Sequence, residues 1–129
     1  MKKIKNILIG TNNKGKVKEF YFLLNKKIKK FSPLQLNIKS PAETGKSFRS
    51  NSVLKAKFFF QSSKITTISD DSGLCIECLN NEPGIYSARW AKKYGGFKPA
   101  MLKIIELVKN KNKNKKKQNV KAKFICSLT

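Results

Sequence analysis

The first thirty residues constrain the fold most, because they join a short apolar run to a stripe with the period of a helix. The run "IKNILIG" ends in a glycine and a polar turn, which predicts a buried strand of a central sheet. From Gly15 to about Lys29 the apolar residues recur in steps of three and four, which predicts an amphipathic helix with a lysine-rich outer face. A buried strand followed by such a helix is typical of an α/β chain.

The rest of the chain alternates strand-like and helix-like segments. Ser32 and Pro33 interrupt the first helix, and the pattern then predicts, in order, a strand "LQLNI", a loop "KSPAETGKS", a helix from about Phe48 to Gln61, the strands "ITTIS" and "GLCIECL", a loop "NNEPGIYSARWAKKYGG", a helix near residues 98–109 and a strand "VKAKFICSLT". Residues 109–119 are of low complexity, and we expect a solvated, mobile loop there. The prediction is one α/β domain over residues 1–129, with α+β character and a mixed central sheet flanked by helices.

The charge of the chain is a weak guide to its function. It has 29 basic and seven acidic side chains, a formal net charge of +22, which suits an anionic partner such as nucleic acid, a nucleotide or a membrane surface. All the basic residues except Arg49 and Arg89 are lysines, however, whereas proteins that clamp phosphates and read bases favour the planar guanidinium group. The lysine excess is more typical of compositional drift across a genome.

Three cysteines and the absence of a secretory signal predict a cytoplasmic protein. The cysteine number is odd, and the apolar run near the N-terminus is too short for a signal peptide or a membrane span. Cys75 and Cys78 have the spacing of a metal-binding knuckle, but residues three apart on a strand face opposite sides, and the chain has no histidine to complete a zinc site. The spacing alone therefore does not predict a zinc site.

Asp70 and Asp71 stand side by side in a chain that has few acidic residues. Adjacent carboxylates repel each other and raise each other's pKa unless a cation or a proton lies between them, so the pair predicts a site for a divalent metal and an activated water. The two flanking strands place the pair at their connection. A polar turn is therefore the alternative, because Asp, Ser and Gly are ordinary turn residues.

The segment "GTNNKGK", residues 10–16, lies between the first strand and the first helix. There the N–H groups of the helix start, the hydroxyl of Thr11, the amide of Asn13 and the ammonium groups of Lys14 and Lys16 can converge on a phosphate. A helix cap preceded by a turn is the alternative.

Two further segments carry candidate binding residues. In "AETGKSFRSNSVLKA" Glu43 precedes a helix on which Asn51 and Lys55 are one turn apart, a set that suits a metal-bound polyphosphate. The alternative is a solvated helix face with a loop glutamate. In "EPGIYSARWA" Ser87 and Arg89 bracket an alanine, and the rare arginine suggests a site that needs bidentate geometry, with a surface ion pair as the alternative.

Together, and in this order, these segments resemble the inosine triphosphate pyrophosphatase family, whose members hydrolyse non-standard purine nucleoside triphosphates such as dITP and XTP. The matching stretches cover nearly the whole chain: "TNNKGKVKEF", "ETGKSFRSNSVLKAK", "DDSGLCIECLNNEPGIYSARWA" and "AKFICSL". The resemblance implies a nucleotide cleft beside a long mixed sheet, a homodimer, and Mg²⁺ that bridges enzyme carboxylates and the triphosphate. The implied products are a nucleoside monophosphate and pyrophosphate.

The resemblance also implies a role for each matching residue. The phosphate-binding positions are Thr11, Asn13, Lys16 and Lys55; the metal-linked carboxylates are Glu43 and Asp70; the base that activates water is Asp71; Ser72 matches a residue of the substrate cleft; and Asn51 and Arg89 are further candidates for the cleft.

The chain departs from the family in two places. Family members continue past Thr129 with a "GYDP" segment, a further lysine and an "SHR" segment that contact the purine base, and Ser50 stands where the family commonly has glutamate. We therefore expect a gene shortened by a frameshift or an incomplete sequence, with the base-reading side of the cleft absent. The alternative is a fragment that keeps the phosphate and metal groups but has lost specificity. We expect little or no selective activity from the 129-residue product, and robust dITP cleavage that Asp71→Asn abolishes would contradict this.

Two other functions compete with this one. The first is an inactive structural fragment, and the second is a basic nucleic-acid-binding module. Such a module needs exposed aromatic side chains among the basic ones, whereas Phe20, Phe58–Phe60 and Phe124 fall at core-like positions. We therefore expect a small-molecule substrate, and neither a nucleic acid nor a membrane as partner.

Overall fold

The computed structural model describes residues 3–113 and 120–129. Helices in these ranges are α1 Lys14–Leu23, α2 Phe48–Ser63, α3 Ser87–Lys93 and α4 Phe97–Lys111. Strands are β1 Asn6–Ile9, β2 Lys29–Phe31, β3 Thr67–Ile68, β4 Asp70–Ile76, β5 Glu82–Pro83 and β6 Ala122–Leu128. The α/β class is confirmed. Across the described ranges, each helix is too short or too polar to cross a membrane.

The strands form two three-stranded groups. In the first, β1 lies between β2 and β3 and is parallel to both, with Leu8 opposite Phe31 on one side and Thr67 on the other. In the second, the order is β5-β4-β6, and β4 is antiparallel to β5. Parallel pairing early in the chain and antiparallel pairing after the acidic residues confirm the predicted mixture.

The chain divides into two compact units. The first contains Met1–Asp71 and Ser127–Thr129, and the second contains Ser72–Cys126. The prediction of a single domain stays a prediction.

The first unit is built around β1. Leu8 and Ile9 are fully buried there, together with Phe59 of α2 and, nearly so, Phe20 of α1. The predicted extension of the first helix to Lys29 is wrong. Leu24 already has an extended backbone, and the side-chain oxygen of Asn25 accepts a hydrogen bond from the Lys27 N–H at 2.9 Å. Because such a local turn competes with the helix ladder, the helix stops and the chain can return as β2.

The predicted strand "LQLNI" is also wrong, because Leu34–Leu36 form a 3-10 helix. Pro33 has helical backbone angles, and Gln35 Oε1 accepts a hydrogen bond from the Ser32 N–H at 2.9 Å, which closes a turn. Asn37 then adopts a left-handed conformation with φ 52°. Local turn bonds at the proline thus outweigh the alternating apolar pattern.

The second unit has its own apolar core, formed by Ile76, Leu79 and Ile104 with Leu74, Trp90, Leu107 and Val108 packed against it. The predicted loop over residues 80–96 contains β5 and α3, so that prediction is wrong in part. The strand "GLCIECL" ends at Ile76 and continues as a 3-10 helix, Glu77–Leu79. Of the predicted loop at 109–119, α4 occupies the first three residues, and 114–119 lie outside the described ranges.

The predicted burial of the aromatic residues holds only in part. Phe20 and Phe59 are buried, whereas Phe60 is 49% exposed and Phe124 is 71% exposed. Three successive residues of a helix point in directions about 100° apart, so Phe58–Phe60 cannot all face one core. The expectation that Phe60 and Phe124 lie in the core is therefore wrong.

Candidate active site

Asp70 and Asp71 are the first two residues of β4, and both are buried. This corrects the prediction that they lie in a connection between strands, because only Ser69 separates β3 from β4. The polar-turn alternative is therefore wrong. Burial of two neighbouring carboxylates is costly unless each finds a cation or a hydrogen-bond donor.

Lys16, near the start of α1, supplies the cation for Asp70. Its Nζ lies 2.5 Å from Asp70 Oδ2, and only 5% of the Asp70 side chain is exposed. The loop before α1 orients this lysine. Asn13 Oδ1 accepts hydrogen bonds from the N–H groups of Gly15 at 2.9 Å and Lys16 at 3.2 Å, and Thr11 Oγ1 accepts one from the Asn13 N–H at 3.2 Å. The oxygen of Asn13 thus caps α1, while phosphate binding by Thr11, Asn13 and Lys14 stays a prediction.

Lys55, in the middle of α2, faces two further carboxylates. Its Nζ lies 2.9 Å from Glu43 Oε1 and 3.8 Å from Asp71 Oδ1. Lys55 is only 6% exposed, so the alternative of a solvated helix face is wrong for this part of α2. One ammonium group therefore joins the loop that carries Glu43 to the start of β4.

Asn51, one turn before Lys55, is fully buried beside the same carboxylate. Its Nδ2 donates to Asp71 Oδ2 at 3.1 Å, and its Oδ1 accepts from the Gly45 N–H at 2.8 Å. Gly45 is not among the site residues predicted from the sequence. No pattern in the letters shows that a loop N–H will meet a side chain six residues later. We call Lys16, Glu43, Asn51, Lys55, Asp70 and Asp71 the lysine–carboxylate cluster.

Burial raises the pKa of Asp71 above its ordinary value of 3.8. The hydrogen bond from Asn51 and the charge of Lys55 oppose this effect, the charge of Glu43 adds to it, and Lys16 opposes it more weakly. A carboxylate with a raised pKa is a stronger base than an ordinary one. Asp71 therefore has the environment of a group that can take a proton from water.

The lysine–carboxylate cluster contains carboxylate oxygens, the type of ligand that Mg²⁺ prefers. Carboxylate oxygens are hard ligands, and Mg²⁺ is usually held by one or two of them while waters and substrate phosphates complete its shell. Within residues 3–113 and 120–129, no group of three or more acidic, cysteine or histidine side chains could hold a metal ion alone. Binding of a metal by Asp70 and Glu43 therefore stays a prediction.

Ser72 and Arg89 belong to the second unit. Ser72 is half-buried in β4, and Arg89 is exposed with its guanidinium 4.9 Å from the centre of the Tyr86 ring. Their cleft roles stay predictions. Ser87 has a structural role, because its Oγ donates to Gly84 O at 2.7 Å and accepts from the Leu74 N–H at 3.0 Å.

Comparison with known proteins finds one family that matches nearly the whole chain. Residues 7–129 match the family model described as the Ham1 family. A dITP/XTP pyrophosphatase of Zymomonas mobilis is 36% identical over 124 residues, which cover 95% of this chain and 58% of the relative. One of Leptospira interrogans is 37% identical over 126 residues, covering 96% of this chain and 61% of the relative.

Two solved structures have the same fold. A HAM1 protein from Coxiella burnetii superposes with a TM-score of 0.79 at 26% identity, covering 97% of this chain and 62% of that one. The Ham1 protein of Staphylococcus aureus gives a TM-score of 0.73 at 34% identity, covering 96% of this chain and 62% of that one. The chain spans about three-fifths of the length of these relatives.

Proposed function

Because this chain belongs to the Ham1 family, we propose that it hydrolyses non-standard purine nucleoside triphosphates, such as dITP, ITP and XTP, to the monophosphate and pyrophosphate. Relatives that match most of the chain are named dITP/XTP pyrophosphatases, which supports this substrate class. The observation that carries the proposal is the buried Asp71 carboxylate, held by Asn51 and Lys55 beside a second buried carboxylate.

In the proposed reaction Asp71 is the base. Its Oδ atoms orient a water molecule and take its proton as the water oxygen attacks a phosphorus of the α–β anhydride. The bond between that phosphorus and the bridging oxygen breaks, which leaves the monophosphate and pyrophosphate. Burial makes this carboxylate more basic, whereas the Asn51 donor and the Lys55 ammonium keep enough of it ionised to act. Exclusion of bulk water strengthens these charge interactions at the reacting atoms.

The lysines serve the phosphates. In the free protein Lys16 and Lys55 neutralise Asp70, Asp71 and Glu43, and with substrate present their ammonium groups bind the negative oxygens of the triphosphate. The hydroxyl of Thr11 and the amide of Asn13 lie in the same loop as Lys16 and add hydrogen bonds to phosphate.

We propose Mg²⁺ as the cofactor, held by Asp70 and Glu43. When bound it neutralises the charge that builds on the transferred phosphoryl group and the leaving pyrophosphate. Lys16 forms an ion pair with Asp70, and Lys55 forms one with Glu43. Each lysine neutralises the charge of a carboxylate that a bound metal would otherwise neutralise, which supports Asp70 and Glu43 as the metal ligands.

We also propose a homodimer in a cytoplasmic location. Cys75, Cys78 and Cys126 are all free thiols, which fits a reducing compartment. Multi-angle light scattering on the purified chain tests the dimer: a mass of about twice 14.7 kDa is expected, and a monomer at all concentrations would contradict it.

The hydrolysis itself is tested by measuring pyrophosphate release from dITP, ITP, XTP and ATP, each with Mg²⁺ and with a chelator. The proposal expects release of pyrophosphate with Mg²⁺ and none with the chelator. Release of orthophosphate instead of pyrophosphate, or no release from any substrate, would contradict it. The sequence predicts little or no selective activity for this chain, so robust cleavage of dITP over ATP in the same measurements would support the function proposed here and contradict that prediction.

A further inference from the structure

We propose that Asn51 is a positioning residue, whose single side-chain amide fixes both Asp71 and the loop that carries Glu43. The inference rests on the function proposed above, and it explains how two carboxylates from separate segments keep one arrangement. In this role Asn51 touches neither phosphate nor metal. It acts through the residues that do.

The geometry of the amide carries the proposal. Asn51 Nδ2 donates to Asp71 Oδ2 at 3.1 Å, while Asn51 Oδ1 accepts from the Gly45 N–H at 2.8 Å. Gly45 lies two residues after Glu43, so the second bond fixes the backbone of the glutamate's own loop. The Asn51 side chain is fully buried, so water cannot replace either bond if the amide is lost.

The two partners require an amide. An ionised carboxylate only accepts hydrogen bonds, and a backbone N–H only donates them, so a bridge between them needs a donor at one end and an acceptor at the other. Leucine has about the same size and offers neither. Aspartate can still accept from the Gly45 N–H, but when ionised it cannot donate to Asp71.

Gly45 provides a second observation in favour of a specific contact between the loop and α2. A Cβ at this position would collide with Asn51 Oδ1, with Ser50 Oγ and with the Asn51 backbone nitrogen. The loop can therefore lie against the start of α2 because residue 45 has no side chain. The same junction thus depends on a glycine in the loop and on an asparagine in the helix.

The consequence for the reaction is a loss of rate without an equal loss of affinity. Lysines bind the triphosphate, and Asn51 holds the carboxylate that activates water. We expect kcat of Asn51→Leu and Asn51→Asp to fall by about 10- to 100-fold with KM within about twofold, the range seen when a supporting hydrogen bond is removed.

Ser52→Ala is the matched control. Ser52 is also fully buried on α2, and its hydroxyl donates to Arg49 O at 3.0 Å and meets the Thr129 hydroxyl at 2.8 Å. Its loss disturbs buried packing next to Asn51 without touching Asp71. We expect Ser52→Ala to keep kcat and KM within about twofold of native, whatever its stability.

Amide hydrogen exchange of Gly45, followed by NMR, separates the two bonds and needs no activity. We expect exchange about tenfold faster or more in Asn51→Leu, and native-like exchange in Asn51→Asp and Ser52→Ala. Equal Gly45 exchange in native and Asn51→Leu, or native kcat in Asn51→Asp, would overturn the proposal. Absence of pyrophosphate release from the native chain would overturn the proposed function instead, and Gly45 exchange would still decide the role of Asn51.

Discussion

The two units of the chain differ in whether they bury acidic residues. In the first unit Glu19 is exposed, whereas Glu43, Asp70 and Asp71 are buried or half-buried and each touches a lysine. In the second unit Glu77, Glu82 and Glu106 are all exposed, and the core there is apolar. Single ion pairs differ in the same way. The Asp70 side chain, which pairs with Lys16, is 5% exposed, whereas the Glu106 side chain, which pairs with Lys103, is 57% exposed.

This difference shows where the chain tolerates the energetic cost of burying charged side chains. An exposed pair such as Lys103–Glu106 contributes little and costs little, since water screens both charges. Buried charges need partners, and removal of one partner leaves the other without compensation. A chain with only seven acids that buries two neighbouring ones has a local arrangement better explained by chemistry than by stability.

The largest expected effect is on catalysis by Asp71. Asp71→Asn keeps the size and the polarity of the side chain but removes the base, so we expect the rate of pyrophosphate release to fall by about 100- to 10,000-fold. Glu106→Gln, the matched change in the second unit, should leave the rate within about twofold of native. Equal losses in the two variants would break the contrast between the units.

Lys55→Met should lower the free energy of unfolding far more than Lys103→Met does. It leaves Asp71 and Glu43 without their shared cation, and the loss of one partner from a buried pair costs about 3 to 5 kcal/mol of unfolding free energy. Lys103→Met removes the exposed pair and should cost about 0 to 1 kcal/mol. Urea denaturation measures both, and a Lys55→Met cost no larger than that of Lys103→Met would contradict the burial argument.

Asp71→Asn should also make the folded protein more stable at neutral pH. Burial raises the pKa of Asp71 above 3.8, the value that the unfolded chain keeps. Between these two pKa values the folded protein holds a proton that the unfolded chain has released, so the free energy of unfolding falls as pH rises through this window and stays lower above it.

Because asparagine does not ionise, the gain of Asp71→Asn over native should be present at pH 7, shrink as pH falls from the raised folded pKa of Asp71 towards 3.8, and be nearly absent below 3.8. Thermal denaturation of the two proteins over this pH range measures the difference. A variant less stable than native at pH 7, or a difference that does not change with pH, would show that burial does not dominate at Asp71.

Helix starts provide a smaller contrast between the units. At the start of α2, Ser47 Oγ accepts from the Ser50 N–H and Ser50 Oγ accepts from the Ser47 N–H, each at 3.0 Å, while α4 begins after Gly96 without a side-chain cap. Ser47→Ala should therefore cost about 1 kcal/mol of unfolding free energy. Ser62→Ala, near the exposed end of α2, should cost less than about 0.5 kcal/mol. Equal costs for Ser47→Ala and Ser62→Ala would show that the Ser47 cap does not stabilise α2.

The sequence predicted long periodic segments well and local turns poorly. β1, α2 and α4 follow their apolar patterns, because burial of a stripe or a run determines them. The end of α1 and the segment after Pro33 were predicted wrongly, because the side chains of Asn25 and Gln35 make short-range hydrogen bonds that the apolar pattern does not register.

The site was predicted from residue types and order, but its contacts were not. Spacing on a helix placed Asn51 and Lys55 on one face, and the structure brings that face to Glu43 and Asp71. The bond from Gly45 to Asn51 and the pairing of Lys16 with Asp70 depend on how a loop and a sheet meet a helix. No single segment of sequence contains that information.

Crystals grown with Mn²⁺ and a non-hydrolysable analogue of dITP show most directly whether the lysine–carboxylate cluster binds the metal and the triphosphate. Anomalous scattering identifies Mn²⁺ without reference to the chemistry of its neighbours. The lysine–carboxylate cluster predicts one strong Mn²⁺ peak at the carboxylates of Asp70 and Glu43, next to the triphosphate. Peaks only at the exposed Glu77, Glu82 or Glu106, or a triphosphate bound away from Lys16 and Lys55, would contradict the proposed active site.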